Sequence, residues 1–430
     1  MKVLIKKGRV IDPSQNIDKE MDILIEGAKV CKIGEQIKAD GAKIIEAKGK
    51  IVSPGFVDMH THLREPGRED KETIASGMKA AISGGFTTVC AMPNTEPACD
   101  SQAQVFFLIE KAKKTGLGSI LPVGAITKQR KGKQLSEMYE LKEAGCLSVS
   151  DDGDSVEDPW LLMRAMEYAE QLGLLVISHC EDKRMAVGGV MHEGYFSTVL
   201  GLKPIPAEAE TIIVERDIRL AGLTGVRLHI AHISTSGSVE AVKRAKKKGI
   251  KVTAEVTPHH LSLTDENVRG YNTNMKVNPP LRSGDDVKAL KSAVKDGTID
   301  VIATDHAPHL ENEKQQEFDL APFGMIGLET ALSLSALALV ESGLLSWSDL
   351  IDRLSCAPCR ILGYDRGTLN PGTQADIVII DPDKQWIYEK DKIKSTSCNS
   401  PFIGRKLKAK VTDVLVGGRI VVRDEEIVGQ

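Results

Sequence analysis

No stretch of the 430-residue chain approaches the ~20 consecutive apolar residues that a membrane span requires. Basic residues are not in excess: 56 Lys and Arg against 60 Asp and Glu leave a net charge of −4, which argues against a nucleic-acid partner. The opening, Met1-Lys2-Val3-Leu4-Ile5-Lys6-Lys7-Gly8, is too short and too charged for a signal peptide and is expected to be the first strand of a cytoplasmic protein. Cysteine is sparse and scattered, at 31, 90, 99, 146, 180, 356, 359 and 398, a pattern that suits a reducing compartment. Cys356-Ala-Pro-Cys359 has no second pair to complete a tetrahedral zinc site, so both thiols are expected to be buried at a helix start. Gly84-Gly85 precedes a strand instead of following one, which excludes a dinucleotide fingerprint. Asp154, Glu157 and Asp158 lack the ligand spacing of a calcium loop.

What is present is the balance of a globular domain, 41% hydrophobic and 27% charged. Short strands and turns fill both ends: Val3–Ile5, Met21–Ile25, Val30–Ile33 and Lys43–Glu46, then Asp376–Ile380, Val411–Val416 and Arg419–Val422. A few strands cannot bury a face alone, so residues 1–53 and 366–430 are expected to form one small β-sandwich domain. Between them, over 54–365, apolar strand runs alternate with amphipathic helices. The strands are Phe56–Asp58, Thr87–Ala91, Ile120–Gly124, Leu147–Ser150, Leu174–Ser178, Val226–Ala231, Lys251–Glu255 and Ile299–Ala303. Eight repeats predict an α/β fold of the (β/α)8 TIM-type barrel, with a doubly wound open sheet as the alternative. Two further helices are expected at Gly327–Ser342 and Trp347–Leu362.

The chain has ten histidines, and several fall at the carboxyl ends of these strands, where barrel enzymes keep their sites. His60-Thr61-His62 follows the first strand; residues two apart on extended chain point the same way and can meet one metal. His179 ends the fifth strand, His232 the sixth and Asp305 the eighth. Imidazoles and a carboxylate converging from separate strands suit an open catalytic metal site. His229 and His232 are three apart, so only one is expected to face the barrel mouth, and His232 lies nearer the strand end. The same parity turns His306 away from Asp305, and His259 and His260 are expected to support or pack the site. The fourth strand ends in Asp151-Asp152-Gly153. One of these carboxylates is placed to bridge two metals, or the segment is a plain Asp-Gly turn; both readings stay open here.

These residues resemble the amidohydrolase superfamily and, more narrowly, its dihydroorotase family of the longer bacterial type. The matching stretches run along nearly the whole chain: Pro54-Gly55-Phe56-Val57-Asp58-Met59-His60-Thr61-His62-Leu63-Arg64-Glu65-Pro66-Gly67, Met92-Pro93-Asn94-Thr95, Ser150-Asp151-Asp152-Gly153, His179-Cys180-Glu181-Asp182, Ala254-Glu255-Val256-Thr257-Pro258-His259-His260-Leu261, Asn278-Pro279-Pro280-Leu281-Arg282, Ala303-Thr304-Asp305-His306-Ala307-Pro308-His309 and Ala321-Pro322-Phe323-Gly324. The resemblance implies reversible closure of N-carbamoyl-L-aspartate to dihydroorotate, a step of pyrimidine synthesis, with one or two zinc ions (Zn2+). It implies that His60 and His62 hold one metal, His179 and His232 the second, and Asp152 bridges them. Asp305 would be both ligand and proton shuttle. Arg64, Asn94 and His309, with His62 beside them, would meet the substrate carboxylate; Asn278 and the Phe323-Gly324 backbone would meet the ring. Many superfamily members bridge their metals with a fourth-strand lysine. Here Lys128, Lys131, Lys133 and Lys142 all precede that strand, which counts against hydantoinase, dihydropyrimidinase and allantoinase. Those enzymes remain the alternative, as does a non-catalytic homologue serving as a partner of aspartate transcarbamoylase. A small-molecule substrate and a homo-oligomer are expected. The polar run 309–324 is expected to be either a lid or a solvated loop.

Overall fold

The computed structural model describes residues 2–428 and divides them between two large sheets. Eight parallel strands follow one another in chain order: Phe56–Thr61, Phe86–Ala91, Ser119–Gly124, Ser148–Val149, Leu175–Ser178, Leu228–Ile230, Val252–Val256 and Val301–Ile302. The ring closes where Thr61 bridges His306, the His62 N–H donating to the His306 carbonyl at 2.9 Å. Asp58 clamps the same seam. Its carboxylate accepts from the Thr304 N–H at 3.1 Å, the Thr304 hydroxyl at 2.6 Å and the His60 N–H at 3.1 Å. Burial nonetheless raises this acid to about 7.

Strand alternation sorts the barrel's side chains into two layers. Val57, Met59, Cys90, Leu175, Ile177, Val301 and Ala303 fill the interior, floored by Ala357, Cys359 and Leu362. Phe56, Val89, Ile120, Val176, Leu228, Ile230 and Ile302 face outward into a core shared with the helices. Those helices are stopped by their own sequence. Asp158 caps Pro159–Leu172 by accepting from the Trp160 N–H, and Gly173 ends it in the left-handed conformation. The first helix begins at Ile74, capped by Thr73, whose side chain accepts from the Ser76 N–H; Lys71 and Glu72 just before it contact His309 and His306. The two late helical segments each contain a π turn, at Ala336–Val340 and Asp352–Cys356. Cys356 and Cys359 are buried there, with burial pushing both thiols up to about 12.

The chain ends share a nine-stranded sheet. Its seam pairs Ile51–Pro54 antiparallel with Ile377–Ile387, Val52 opposite Ile379. Val3, Ile5, Ile23 and Ile25 from one end pack with Ile377, Ile379 and Leu415 from the other. Among the described residues no helix is long and apolar enough to cross a membrane.

Candidate metal centre and substrate pocket

The carboxyl ends of the barrel strands enclose a cavity of about 260 Å³. All the expected site residues except His60 line it, and His60 lies directly behind. Three of them reach the site through left-handed backbone: Arg64 (φ 56°), His232 (φ 30°) and Asp305 (φ 48°). Non-glycine residues held there cost about 1–3 kcal/mol each, a strain that collects at functional sites.

Three of the four imidazoles at this centre are oriented by a partner on the nitrogen turned away from it; His232 Nδ1 is buried with no such partner. His60 Nδ1 donates to Glu255 Oε1 at 2.8 Å, leaving Nε2 facing Asp152 Oδ1 at 3.1 Å. His62 Nδ1 donates to Asn94 Oδ1 at 2.9 Å, and its Nε2 lies 3.1 Å from Asp305 Oδ1 and 3.6 Å from Asp152 Oδ2. His179 is turned the other way. Its Nε2 donates to Glu181 Oε2 at 3.4 Å, while Nδ1 lies 3.6 Å from Asp152 Oδ1 and 2.9 Å from His232 Nε2. Two donor groups are each compact enough to hold one ion: His60, His62 and Asp305, and His60, Asp152 and His232. His60 Nε2 and Asp152 Oδ1 are buried without a hydrogen-bond partner. Buried lone pairs left this way are costly, and a shared cation relieves them. The donor set therefore fits a metal, and nitrogen-rich, oxygen-bridged ligation is what zinc accepts.

The adjacent aspartates separate cleanly. Asp152 points into the centre, whereas Asp151 turns back to accept from the Thr127 N–H at 3.0 Å and the Thr127 hydroxyl. His306 also turns away, to Glu72 Oε2 at 3.2 Å.

The residues expected to meet substrate also line this cavity. The Arg64 Nε donates to the Pro308 carbonyl at 3.2 Å, which aims the guanidinium into the cavity; among the described residues no carboxylate lies within ion-pair distance of it. Burial lowers Arg64 to about 10, which leaves it charged at neutral pH. Asn278 Nδ2 donates to Glu181 Oε2 at 2.7 Å, linking this amide to the carboxylate that orients His179. Gly324 sits at φ 130°, where a Cβ would come within 2.7 Å of the Ala307 Cβ, so glycine alone brings this backbone to the pocket.

The Dihydro-orotase-like family model matches residues 49–238. Full-length relatives agree: the chain is 54% identical to the dihydroorotase of Geobacter metallireducens, covering 98% of this chain and all of that one. It is 52% identical to the dihydroorotase of Pelotomaculum thermopropionicum, over 99% of this chain and all of the relative. The chain belongs to the dihydroorotase family. Among solved structures, the L-hydantoinase (dihydropyrimidinase) from Arthrobacter aurescens superposes with a TM-score of 0.90 at 24% identity, covering 100% of this chain and 97% of its own. At that identity the likeness is one of fold. Dihydroorotases are metal-dependent hydrolases of cyclic amides, and the clustered histidines and aspartates here are groups that could hold a metal ion.

For this dihydroorotase-family chain, strand parity misled at one place. His229 does face the barrel interior, donating or accepting between Thr253 Oγ1 at 2.8 Å and Glu255 Oε2 at 3.1 Å. His232 lies past the strand end, and its positive φ swings it into the same space. Alternation holds only while the backbone stays extended. His259 and His260 are both buried; His260 bridges the Thr257 hydroxyl and the Pro279 carbonyl. Sequence reasoning missed Glu255, Glu181 and Lys71. Glu255 had a signal, an acid inside an otherwise apolar strand, and Glu181 sat in the His-Cys-Glu-Asp stretch. Lys71 had none.

Proposed function

We propose that this site closes N-carbamoyl-L-aspartate to dihydroorotate and reopens it, in de novo pyrimidine synthesis. The observation that carries the reading is Arg64, a guanidinium without a carboxylate partner among the described residues, aimed into the cavity that holds the metal-capable cluster. An anionic ring completes it, with the planar fork binding two carboxylate oxygens. Asn94 spends its oxygen on His62 and keeps its amide N–H groups for the same carboxylate. Asn278 and the Phe323-Gly324 backbone lie against the ring.

His60, His62, His179, His232, Asp152 and Asp305 would hold one or two zinc ions. Bound zinc supplies Lewis acidity, acidifying water and polarising the ring carbonyl. Asp305 takes the proton of the attacking water and delivers it to the departing ring nitrogen; in the closing direction it runs the same transfer backwards. Its carboxylate stays ionised between turnovers: burial opposes this, but the His62 hydrogen bond and the neighbouring imidazoles hold it well below the usual range. Glu255, Asn94 and Glu181 fix the ligand rings.

In this reading residues 54–365 are the catalytic barrel, and 1–53 with 366–430 form the β domain. Eight unpaired cysteines support a cytoplasmic setting. Assembly with further copies, or with aspartate transcarbamoylase, belongs to the same proposal, and sedimentation with and without that partner tests it.

Turnover by the zinc-loaded protein decides the substrate, with dihydroorotate compared against dihydrouracil and hydantoin. Arg64→Met is expected to lower kcat/KM for dihydroorotate by about tenfold to a hundredfold without changing metal content. Equal turnover of the neutral rings by the wild type would replace this reading with a general cyclic amidase.

A further inference from the structure

His309 faces the substrate pocket through Nε2, which lies 3.4 Å from Arg64 Nη2. Its other ring nitrogen, Nδ1, has two neighbours of opposite character. Lys71 Nζ stands 3.2 Å away and Glu313 Oε2 3.6 Å away, and these two form their own ion pair at 2.9 Å. Lys71 is buried, and its place is fixed from the main chain, where the Ser397 hydroxyl donates to its carbonyl at 2.8 Å. The His309 main chain is held as firmly, its N–H donating to Asn399 Oδ1 at 3.0 Å.

A neutral imidazole carries one proton, and which nitrogen holds it is set by the groups around the ring. Glu313 alone would draw that proton to Nδ1 and leave a bare lone pair at Nε2, facing an incoming carboxylate. An ammonium group has three protons and no lone pair. Lys71 stands nearer to Nδ1 than Glu313 does, 3.2 Å against 3.6 Å, and as a group that can only donate it requires Nδ1 to accept.

We propose that Lys71 is a positioning residue that fixes His309 as the Nε2-protonated tautomer, so that the ring donates a hydrogen bond at the carboxylate end of the pocket. The inference deepens the substrate assignment above and rests on it. Arg64 Nη2 can also only donate and competes for the lone pair from the Nε2 side, but at 3.4 Å it is farther from the ring than Lys71 at 3.2 Å; with Nε2 protonated, an anionic oxygen is the group that satisfies both donors together. The ring also stays neutral. Burial, then Arg64 and Lys71, push His309 down to about 2. Burial lowers Lys71 as well, but its ion pair with Glu313 opposes the loss of charge.

The test is the tautomer itself, read from the ring 15N shifts of His309 in the zinc-loaded, histidine-labelled protein, with His309→Gln supplying the assignment. The wild type is expected to show a protonated Nε2 and a bare Nδ1. In Lys71→Met the proton moves toward Nδ1 and Glu313. KM for dihydroorotate rises about tenfold or more, with kcat within about threefold and metal content unchanged, the pattern of lost uniform binding. A protonated Nδ1 in the wild type overturns the proposal, and that spectrum decides even where the variant fails to fold. A raised KM with an unchanged tautomer in Lys71→Met also overturns it. If the wild type binds and turns over no dihydroorotate, the substrate reading falls and the role at its carboxylate with it, whatever the spectrum shows.

Discussion

Glu255 Oε1 lies 2.8 Å from His60 Nδ1, beneath the metal-capable cluster and wholly out of water. Burial works against a charged carboxyl here, yet His60 and His229 hold Glu255 down at about 2. A carboxylate in this place pins the ring and makes Nε2 a stronger ligand. Glu255→Gln keeps the shape and removes the charge, and is expected to weaken metal binding by about tenfold to a hundredfold. Chelator competition reads this directly; an unchanged affinity would show that Glu255 only fills the barrel.

Asp151 and Asp152 are neighbours with separate work. Asp152→Ala is expected to abolish full metal loading, because it removes the oxygens facing His60, His62, His179 and His232. Asp151→Ala frees Thr127 and loosens the loop that follows it, costing about 1–3 kcal/mol while the metal stays bound. Metal analysis and urea unfolding of both variants separate the two effects. Metal loss in Asp151→Ala alone would reverse the assignment.

Asp305→Asn retains one oxygen for ligation but cannot take up a proton. Turnover is expected to fall by about a hundredfold to ten-thousandfold, with the fold and most of the metal retained. Near wild-type turnover in a metal-loaded Asp305→Asn would end its role as the shuttle.

Lys314 anchors the loop that ends in Phe323-Gly324. Its buried ammonium donates to the Pro322 carbonyl at 2.8 Å and the Gly324 carbonyl at 3.0 Å, and among the described residues it forms no ion pair. Burial, then the nearby Lys276, lower it from 10.5 to about 7. Between those values the unfolded chain binds more protons than the folded one, so this group makes stability rise with pH from about 7 toward 10.5. Lys314→Met should flatten that slope in urea unfolding followed across the window. A slope unchanged by the substitution would place its origin elsewhere.

The amino-acid sequence by itself determined the barrel and the outline of the site. Eight strand-helix repeats favour a closed barrel over a doubly wound open sheet, and residues at the carboxyl ends of its parallel strands converge on one face. His60, His62, His179, His232 and Asp305 were legible for that reason, since strand ends are local features. The pairing of the two chain ends was legible too, because isolated strands must find a partner.

Tertiary structure decided what depends on contacts between distant segments or on single backbone angles. Adjacent aspartates alternate sides, but only the position of Thr127, 24 residues away from Asp151, shows which side is the centre. His229 and Glu255 became partners because neighbouring strands place Thr253 opposite His229, a register that neither strand encodes alone. That His229 and His232 both turn inward rests on one positive φ at His232, which strand parity does not foresee. Lys71 reached His309 across 238 residues, and only a closed barrel brings its first and last strands together to let an ammonium settle the proton of a histidine.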